Sequence, residues 1–444
     1  MYVHFLNNNM KKSKTIYIGL SADGIHHGHI KLLEKARDYG EIIVGLLTDE
    51  AIATYKRIPY LKYEQREQIL LNLKGVKKVV PQNKQDYSNN IKMIKPDFMI
   101  HGDDWKVGYM KEFRKNCIKA LNSYGGKLIE VPYTKGISSS AFINHLDSTS
   151  ITADIRRGTL RRLVESKKLS RFIESHSPIS AIIAETAFVK KNGKKIGFDG
   201  FWSSSLTDST ALGKPDNESL SYTQRMSAID HIFDVTTKPL IFDGDTGGQI
   251  EHLDMKIKTM ERLGISAVIF EDKTGLKQNS LFENTSNQKQ EDRIIFGKKL
   301  NTAKKAQRSE EFMVIARIES FILGSGLDDA LIRAKTYVDS GSDGIMIHSK
   351  SNSPKEIFIF SEKFKKIYPN TPLVCVPSTY NQVKENELEN NGFNIVIYAN
   401  HMLRAAYPAM EKVALKILKN GRSKEANNDL QSIKEILELI PGTK

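Results

Sequence analysis

The chain has 444 residues, 40% of them apolar and 27% charged, with a formal net charge of +14. That length exceeds what one hydrophobic core organises, so two domains are expected, and the composition is that of an ordinary soluble protein. No apolar run approaches the roughly 18 residues needed to span a bilayer, and the positive excess divides as about +8 over residues 1–150 and +6 over the rest, with no basic arm.

Lysines follow helical faces without the interleaved aromatics of a base-stacking platform, so neither nucleic acid nor membrane is expected as a partner. Attraction of small phosphorylated anions accounts for the charge. The start, Met1-Tyr-Val-His-Phe-Leu6 and then Asn7-Asn8-Asn9, has the wrong order for a signal peptide. Cys117 and Cys375 fall in different predicted domains and read as reduced thiols of a cytoplasmic protein.

The first predicted domain occupies residues 1–148. Thr15-Ile-Tyr-Ile-Gly-Leu20 reads as a strand and Ile30 to Asp38 as a helix, stopped by Tyr39-Gly40. Glu41-Ile-Ile-Val-Gly-Leu-Leu47 is the next strand. A helix near Tyr63, then Lys78-Val-Val80, Asp97-Phe-Met-Ile100 and Lys127-Leu-Ile-Glu-Val131, continue the alternation. Such alternation predicts a Rossmann-like α/β unit with a parallel sheet, whose ligands bind beyond the carboxyl ends of the strands.

Between the first strand and its helix stands Ser21-Ala-Asp-Gly-Ile-His26-His27-Gly28-His29. Two imidazoles at i and i+3 across a glycine, at a helix start, suit a phosphate site. The same spacing also suits zinc, although no cysteine or third histidine lies suitably near.

Residues 149–444 form the second predicted domain. Eight short apolar strands are read there: Arg171-Phe-Ile-Glu174, Gly200-Phe-Trp202, Pro239-Leu-Ile-Phe-Asp243, Ala267-Val-Ile-Phe270, Phe312-Met-Val-Ile-Ala316, Gly344-Ile-Met-Ile347, Pro372-Leu-Val-Cys-Val376 and Asn394-Ile-Val-Ile-Tyr398. Separated by helical stretches, they predict a (β/α)8 TIM-type barrel. An amphipathic helix bearing Leu430, Ile433, Ile436 and Leu437 closes the chain, docked on the barrel or on a neighbouring subunit.

Functional groups in such barrels sit at the carboxyl ends of strands. Those positions carry Trp202-Ser-Ser-Ser-Leu206, Asp243-Gly-Asp245-Thr-Gly-Gly248, Glu271-Asp272-Lys273, Arg317 with Glu319, His348-Ser-Lys350, Pro377-Ser378 and Asn400-His401. The fourth strand opens a polar stretch, beginning Glu-Asp-Lys-Thr-Gly-Leu-Lys-Gln-Asn-Ser at 271–280 and reaching about Arg293, with no apolar periodicity. It reads as a working lid. Four carboxylates, Asp243, Asp245, Glu271 and Glu319, cannot all stand unpaired in one mouth. An oxygen-only set of this kind suits Mg²⁺, while a salt-bridge layer is the plainer reading.

The second domain resembles the phosphoenolpyruvate mutase branch of the isocitrate lyase superfamily. The resemblance rests on Trp202 to Leu206, Asp216, Asp243-Gly-Asp-Thr-Gly247, Glu271-Asp-Lys with Lys277-Gln-Asn-Ser280, Ala316-Arg-Ile-Glu319, His348-Ser-Lys350 and Ala399-Asn-His401. It implies Mg²⁺ organised by Asp243, Asp245 and Glu271, mostly through waters. It implies substrate binding by Trp202, Ser204, Leu206, Arg317 and His348, and closure of Asp216, Lys277, Asn279 and Ser280 over a migrating phosphoryl group. The implied reaction converts phosphoenolpyruvate to phosphonopyruvate, which a separate decarboxylase would consume, in a homotetrameric assembly.

The superfamily's lyases carry a Lys-x-Cys-Gly-His nucleophile where this chain has Lys277-Gln-Asn-Ser280, without cysteine. Its phosphonopyruvate hydrolases, the nearer alternative, typically lack the asparagine seen at Asn279. The mutase pattern usually reads Trp-Gly-Ser-Gly-Leu, and here Ser203 and Ser205 replace both glycines.

The first domain resembles the cytidylyltransferases that activate glycerol phosphate and phosphoethanolamine, through His26-His-Gly-His29, Lys56, Tyr63-Glu-Gln-Arg66, His101-Gly-Asp-Asp-Trp105 and Gly136-Ile-Ser-Ser-Ser140. The resemblance implies nucleotide contacts from Ser21, His26, His29, Lys56, Arg66, Asp103, Ile137, Ser138 and Ser139, with His26 and His29 catalytic. It implies attack of a phosphate or phosphonate acceptor, such as 2-aminoethylphosphonate, on CTP. Tyr133 stands where the family commonly has arginine, which keeps open a nucleotide-sensing module without catalysis.

Overall fold

The computed structural model describes residues 13–440 except 57, 107, 133–150, 192–193, 276 and 281–287. The chain folds as two compact units, the first taking Met1–Ile151 with Glu165–Lys167 and Phe188–Ile196, the second the remainder.

In the first unit the strands are β1 (Thr15–Leu20), β2 (Glu41–Leu47), β3 (Val76–Gln82), β4 (Phe98–Gly102) and β5 (Lys127–Val131). They pair in parallel in the order β3-β2-β1-β4-β5. The chain fills one side of β1 and then crosses to the other, so the switch point lies between β1 and β4. Two close approaches fix the sheet's helical layer: Tyr17 lies over Gly45 and Tyr87 over Gly19, where any Cβ would collide with the rings. The Tyr17 hydroxyl donates to Gln82 at 2.6 Å and accepts from Asn90 at 3.1 Å.

The hairpin strands β7 (Phe188–Lys191) and β8 (Lys194–Gly197) group with the first unit up to Ile196, while the second unit holds β6 (Ser170–Glu174), β9 (Gly200–Ser203), β10 (Leu240–Asp243) and β11 (Ala267–Glu271). After them come the two-residue strands β12 (Lys273–Thr274) and β13 (Lys289–Gln290), then β14 (Met313–Ile318), β15 (Gly344–Ile347), β16 (Leu373–Cys375) and β17 (Ile395–Tyr398). A closed barrel forms from β10-β11-β14-β15-β16-β17-β6-β9, and all eight expected strands are its staves. Their Ile, Val, Phe and Leu side chains are almost wholly buried, as a sheet covered on both faces requires.

Helix Ala153–Ser166 lies against the loops that enter the strands. Arg156 donates to the Phe233 carbonyl, Arg157 to that of Glu261 and Arg161 to that of Phe312. At the opposite end Glu174, fully buried on β6, accepts from the Met402 and Leu403 amides at 3.0 and 3.1 Å. It thereby caps helix His401–Asn420 with a negative charge at its positive end.

That helix corrects the sequence reading, which placed only a final amphipathic helix. It runs for 20 residues, none of them buried, and Tyr407, Met410 and Leu418 are 64%, 63% and 79% exposed. The final helix is shorter than expected, Ile433–Leu439, and Ile433 on it is 81% exposed. The β7/β8 hairpin is a second element that apolar periodicity did not reveal, because all four β7 side chains are exposed. The polar stretch after β11 also has more structure than expected. The β12 and β13 strands pair antiparallel at its base.

Candidate active site

Parallel strands deliver side chains from their carboxyl ends into one cavity. Its wall includes Trp202 of β9, Asp243 of β10, Glu271 of β11, Arg317 of β14, His348 after β15, Ser378 after β16 and Asn400 after β17. Ser204, Leu206, Asp216, Lys277, Asn279 and Ser280 complete the lining. Of the metal, substrate and lid residues that the mutase resemblance implied, Asp245 alone stands outside that wall, and of the other strand-end acids Glu319 and Asp272 do so too.

The lid closes on the opposite loop through two contacts to a single carboxylate. Lys277 Nζ lies 2.7 Å from Asp216 Oδ1, and Asn279 Nδ2 donates to Asp216 Oδ2 at 3.0 Å. The Lys277 ammonium also donates to Asp245 Oδ1 and to Ser205 Oγ. Burial works against its charge, but Asp245, Asp243 and Asp216 outweigh that effect and hold its pKa above the usual lysine value. Ser280 Oγ donates to Glu319 Oε2 at 2.7 Å and accepts from Lys273 Nζ at 2.9 Å and Arg317 Nη2 at 2.8 Å.

Asp245 is reached from behind. Arg225, only 5% exposed, lies 3.3 Å from Asp245 Oδ2, donates to the Asp243 carbonyl at 2.6 Å and stacks on Phe242. Asp245 has φ of 51°, a left-handed conformation rare for a side-chain-bearing residue and commonest at functional sites. The next residue, Thr246, donates from its hydroxyl to Glu218 at 3.2 Å, and Lys299 Nζ donates to its carbonyl at 2.8 Å. This loop is held on three sides. Sequence reasoning missed Arg225 because it stands mid-helix, away from any strand end.

Asp272 requires a correction. It was expected beside Glu271 as a second acid of the site, but alternation along the strand end turns it outward into the barrel wall. There Oδ2 accepts from Tyr337 at 2.7 Å, Gln290 at 2.9 Å and Arg333 at 3.2 Å, and Oδ1 from the Glu319 amide at 2.9 Å. Glu319 is fully buried beneath the cavity, bound to Arg317 Nε at 2.5 Å and His348 Nδ1 at 3.2 Å. Burial opposes its charge, yet Arg317 and His348 hold it well below the ordinary carboxylate range.

The carboxylates therefore face Arg225, Lys273, Lys277 and Arg317, and the charge compensation assigned to a metal is in large part supplied by protein. The set still fits a hard cation. Glu271 Oε1 is buried without a hydrogen-bond partner among the described residues, and burial pushes this carboxyl up to about 7. An orphaned buried oxygen in an all-oxygen set is what an oxygen-seeking ion would satisfy. No three His, Cys, Asp or Glu side chains converge on one point among the described residues.

In the first unit His26 caps helix His27–Arg37. Its Nδ1 accepts from the Gly28 amide at 3.1 Å, and His29 Nδ1 accepts from the His26 amide at 3.3 Å. Both rings thus keep their proton on Nε2 when neutral and present N–H donors away from the backbone. Burial, His26 and Lys56 lower the His29 pKa to about 4. Lys56 Nζ lies 3.5 Å from Ser21 Oγ, and Asp103 follows β4, so these groups flank the β1/β4 switch point.

Arg66, expected at the nucleotide, is instead fully buried and joins the loops. Nη1 donates to the Ser21 carbonyl at 2.5 Å and to that of Leu47 at 2.9 Å, Nη2 to Asp49 at 2.5 Å, and Nε to the Leu61 carbonyl at 3.0 Å. With every guanidinium nitrogen on a protein acceptor, its geometry is that of a brace. Ile137, Ser138, Ser139 and Tyr133 lie outside the described residues.

Residues 160–418 match the phosphoenolpyruvate phosphomutase family. The chain belongs to that family. Residues 17–145 match the cytidylyltransferase-like family, so the first unit is cytidylyltransferase-like. A phosphoenolpyruvate phosphomutase of Tetrahymena pyriformis is 35% identical over 63% of this chain and 89% of its own length. A phosphonopyruvate hydrolase of a Variovorax strain is also 35% identical, over 63% of this chain and 93% of its own. A solved phosphonopyruvate hydrolase, in complex with oxalate and Mg²⁺, superposes with a TM-score of 0.57 at 33% identity, covering 65% of this chain and 95% of that one.

Proposed function

We propose that the barrel isomerises phosphoenolpyruvate to phosphonopyruvate. The observation that carries this reading is the double closure of Lys277 and Asn279 on Asp216, which shuts the polar cavity with amide and ammonium donors. Overall identity does not choose between mutase and hydrolase, since both relatives stand at 35%.

In the reaction the bond from phosphorus to the enol oxygen breaks, and its electron pair becomes part of the ketone carbonyl. The C=C pair forms the new bond from C3 to phosphorus, and no proton is gained or lost. Such a transfer passes through a loose, metaphosphate-like state, so holding the fragments in register and excluding water are the main tasks. Lys277 sets its positive charge, and Asn279 its side-chain amide, beside the phosphoryl group. Arg317 and His348, on the Glu319 side, hold the carboxylate end, and Trp202, Ser204 and Leu206 form the facing wall. Asp243, Asp245 and Glu271 would hold Mg²⁺, which when bound supplies positive charge to the enolate oxygen.

A coupled assay tests the reading. With phosphonopyruvate, NADH oxidation by lactate dehydrogenase should require added pyruvate kinase and ADP, since phosphoenolpyruvate is the product. Oxidation without pyruvate kinase would mean that pyruvate forms directly, as a hydrolase requires.

The first unit, on this reading, transfers CMP from CTP to a phosphonate such as 2-aminoethylphosphonate. Support comes from the Nε2–H donors of His26 and His29 and the Lys56 cation at the switch point. Phosphonopyruvate would first need decarboxylation, so the two reactions are not adjacent. Pyrophosphate release from CTP with a panel of phosphonates checks this. No consumption of CTP with any acceptor would leave the unit a nucleotide-sensing module.

The chain would act as a homo-oligomer, with a tetramer as the family-based expectation. The wholly unburied helix His401–Asn420 supports self-association, because its apolar face is left to a second copy. Sedimentation should give a multiple of the 50.2 kDa chain mass, and Leu418→Glu should lower it. A monomeric native protein would refute the assembly.

A further inference from the structure

Of the two serines that stand where the mutase pattern has glycine, one enters the wall and the other enters the site. The Ser203 hydroxyl donates to Asp208 at 2.7 Å, beside Arg225, and does not line the cavity. Ser205 lines the cavity and is 5% exposed. Its amide and its hydroxyl both donate to Asp243 Oδ2, at 3.2 and 3.0 Å, and its hydroxyl oxygen accepts from Lys277 Nζ.

A lysine ammonium has three N–H donors and no acceptor. In Lys277 these meet Asp245 Oδ1, Asp216 Oδ1 and Ser205 Oγ, one acceptor for each proton. The Ser205 hydroxyl has one proton, already given to Asp243, so only its lone pairs face the ammonium. The polarity of the chain is fixed as Lys277 to Ser205 to Asp243. Glycine at this position would keep the backbone amide on Asp243 but leave one buried ammonium proton without its acceptor.

We propose that Ser205 is a positioning residue. Through its hydroxyl it fixes the lid lysine in the closed mouth, and so sets the cation beside which the phosphoryl group migrates to C3. The proposal rests on the mutase reading for its chemistry, but the placement of Lys277 can be read without turnover.

The test compares Ser205→Gly and Ser205→Ala with the wild-type chain in two measurements. In steady-state conversion of phosphonopyruvate, both variants should lose roughly tenfold in kcat, the scale of one hydrogen bond to a charged group, with KM little changed. In limited trypsinolysis without substrate, both should be cleaved after Lys277 faster than wild type, since trypsin must draw that side chain out of the mouth. Lys299, on helix Arg293–Ala306 and 8% exposed, should remain protected as the control for an intact fold.

Wild-type kcat and wild-type protection of Lys277 in either variant would overturn the proposal. So would losses that appear only together with cleavage after Lys299, which would mark a purely structural role. A wild-type protein that makes no phosphoenolpyruvate would refute the mutase reading, and the trypsin comparison would still decide whether Ser205 holds Lys277.

Discussion

Lys277 and Asp216 meet across the barrel mouth at 2.7 Å, one from the segment after β11 and the other from the loop after β9. Neither element touches the other through its backbone ladder, so this ion pair and the adjoining Asn279 amide define the closed state of the site. Removing a fixed charge that stabilises the charge developing on the substrate typically costs about 100-fold or more in kcat. Lys277→Ala should show a loss of that order, and Asp216→Asn roughly tenfold. Because Asp216 works partly through Lys277, the double variant should lose far less than the product of the two. Multiplicative losses would show that the pair does not act as a unit.

Asp272 should behave as a stability residue. It is fully buried and binds Tyr337, Arg333, Gln290 and the Glu319 amide. Breaking such a buried charged network by removing one member costs about 3–5 kcal/mol. Urea denaturation of Asp272→Ala should show a loss on that scale. A variant of wild-type stability but without activity would return Asp272 to the site.

The His29 ring should titrate near 4, because burial, His26 and Lys56 all disfavour its charge. From its ordinary value of 6.5 down to about 4 the unfolded chain binds a proton that the folded chain refuses. Stability from this group is therefore complete above 6.5 and falls as the pH drops through that window. NMR of imidazole-labelled protein, with His29→Gln for assignment, measures the value directly. A pKa at or above 6.5 would contradict the described surroundings.

Neither thiol should react in the native state. Cys117 and Cys375 are both fully buried, and burial raises the pKa of each, that of Cys117 to about 12. A thiol reagent should leave activity intact and titrate both cysteines only in denaturant. Inactivation on modifying one native thiol would revive cysteine chemistry.

Much of this architecture is legible in the sequence because the barrel strands are short, wholly apolar and bounded by polar residues. Runs such as Ala267-Val-Ile-Phe270 and Gly344-Ile-Met-Ile347 admit few other readings. Charged residues just past those runs then fall in one mouth, as Asp243, Arg317 and His348 do. What the pattern conceals is direction. Asp272 and Glu271 are neighbours that point to opposite sides of the wall, and Arg66 has a phosphate-binding side chain that faces inward. Ser205 and Arg225 gain their importance only from long-range approach, across 72 residues to Lys277 and 20 residues to Asp245. Helix His401–Asn420 escapes a periodicity search tuned to buried faces, because it buries no residue in its own chain.

The central claim is that the closed mouth passes the phosphoryl group to a second atom of the same substrate and withholds it from water. Phosphorus NMR of the full chain with Mg²⁺ and phosphonopyruvate reads that partition in one spectrum. The account predicts conversion to phosphoenolpyruvate, with inorganic phosphate at the level of an enzyme-free control. Inorganic phosphate as the main product, accumulating with pyruvate, would contradict it.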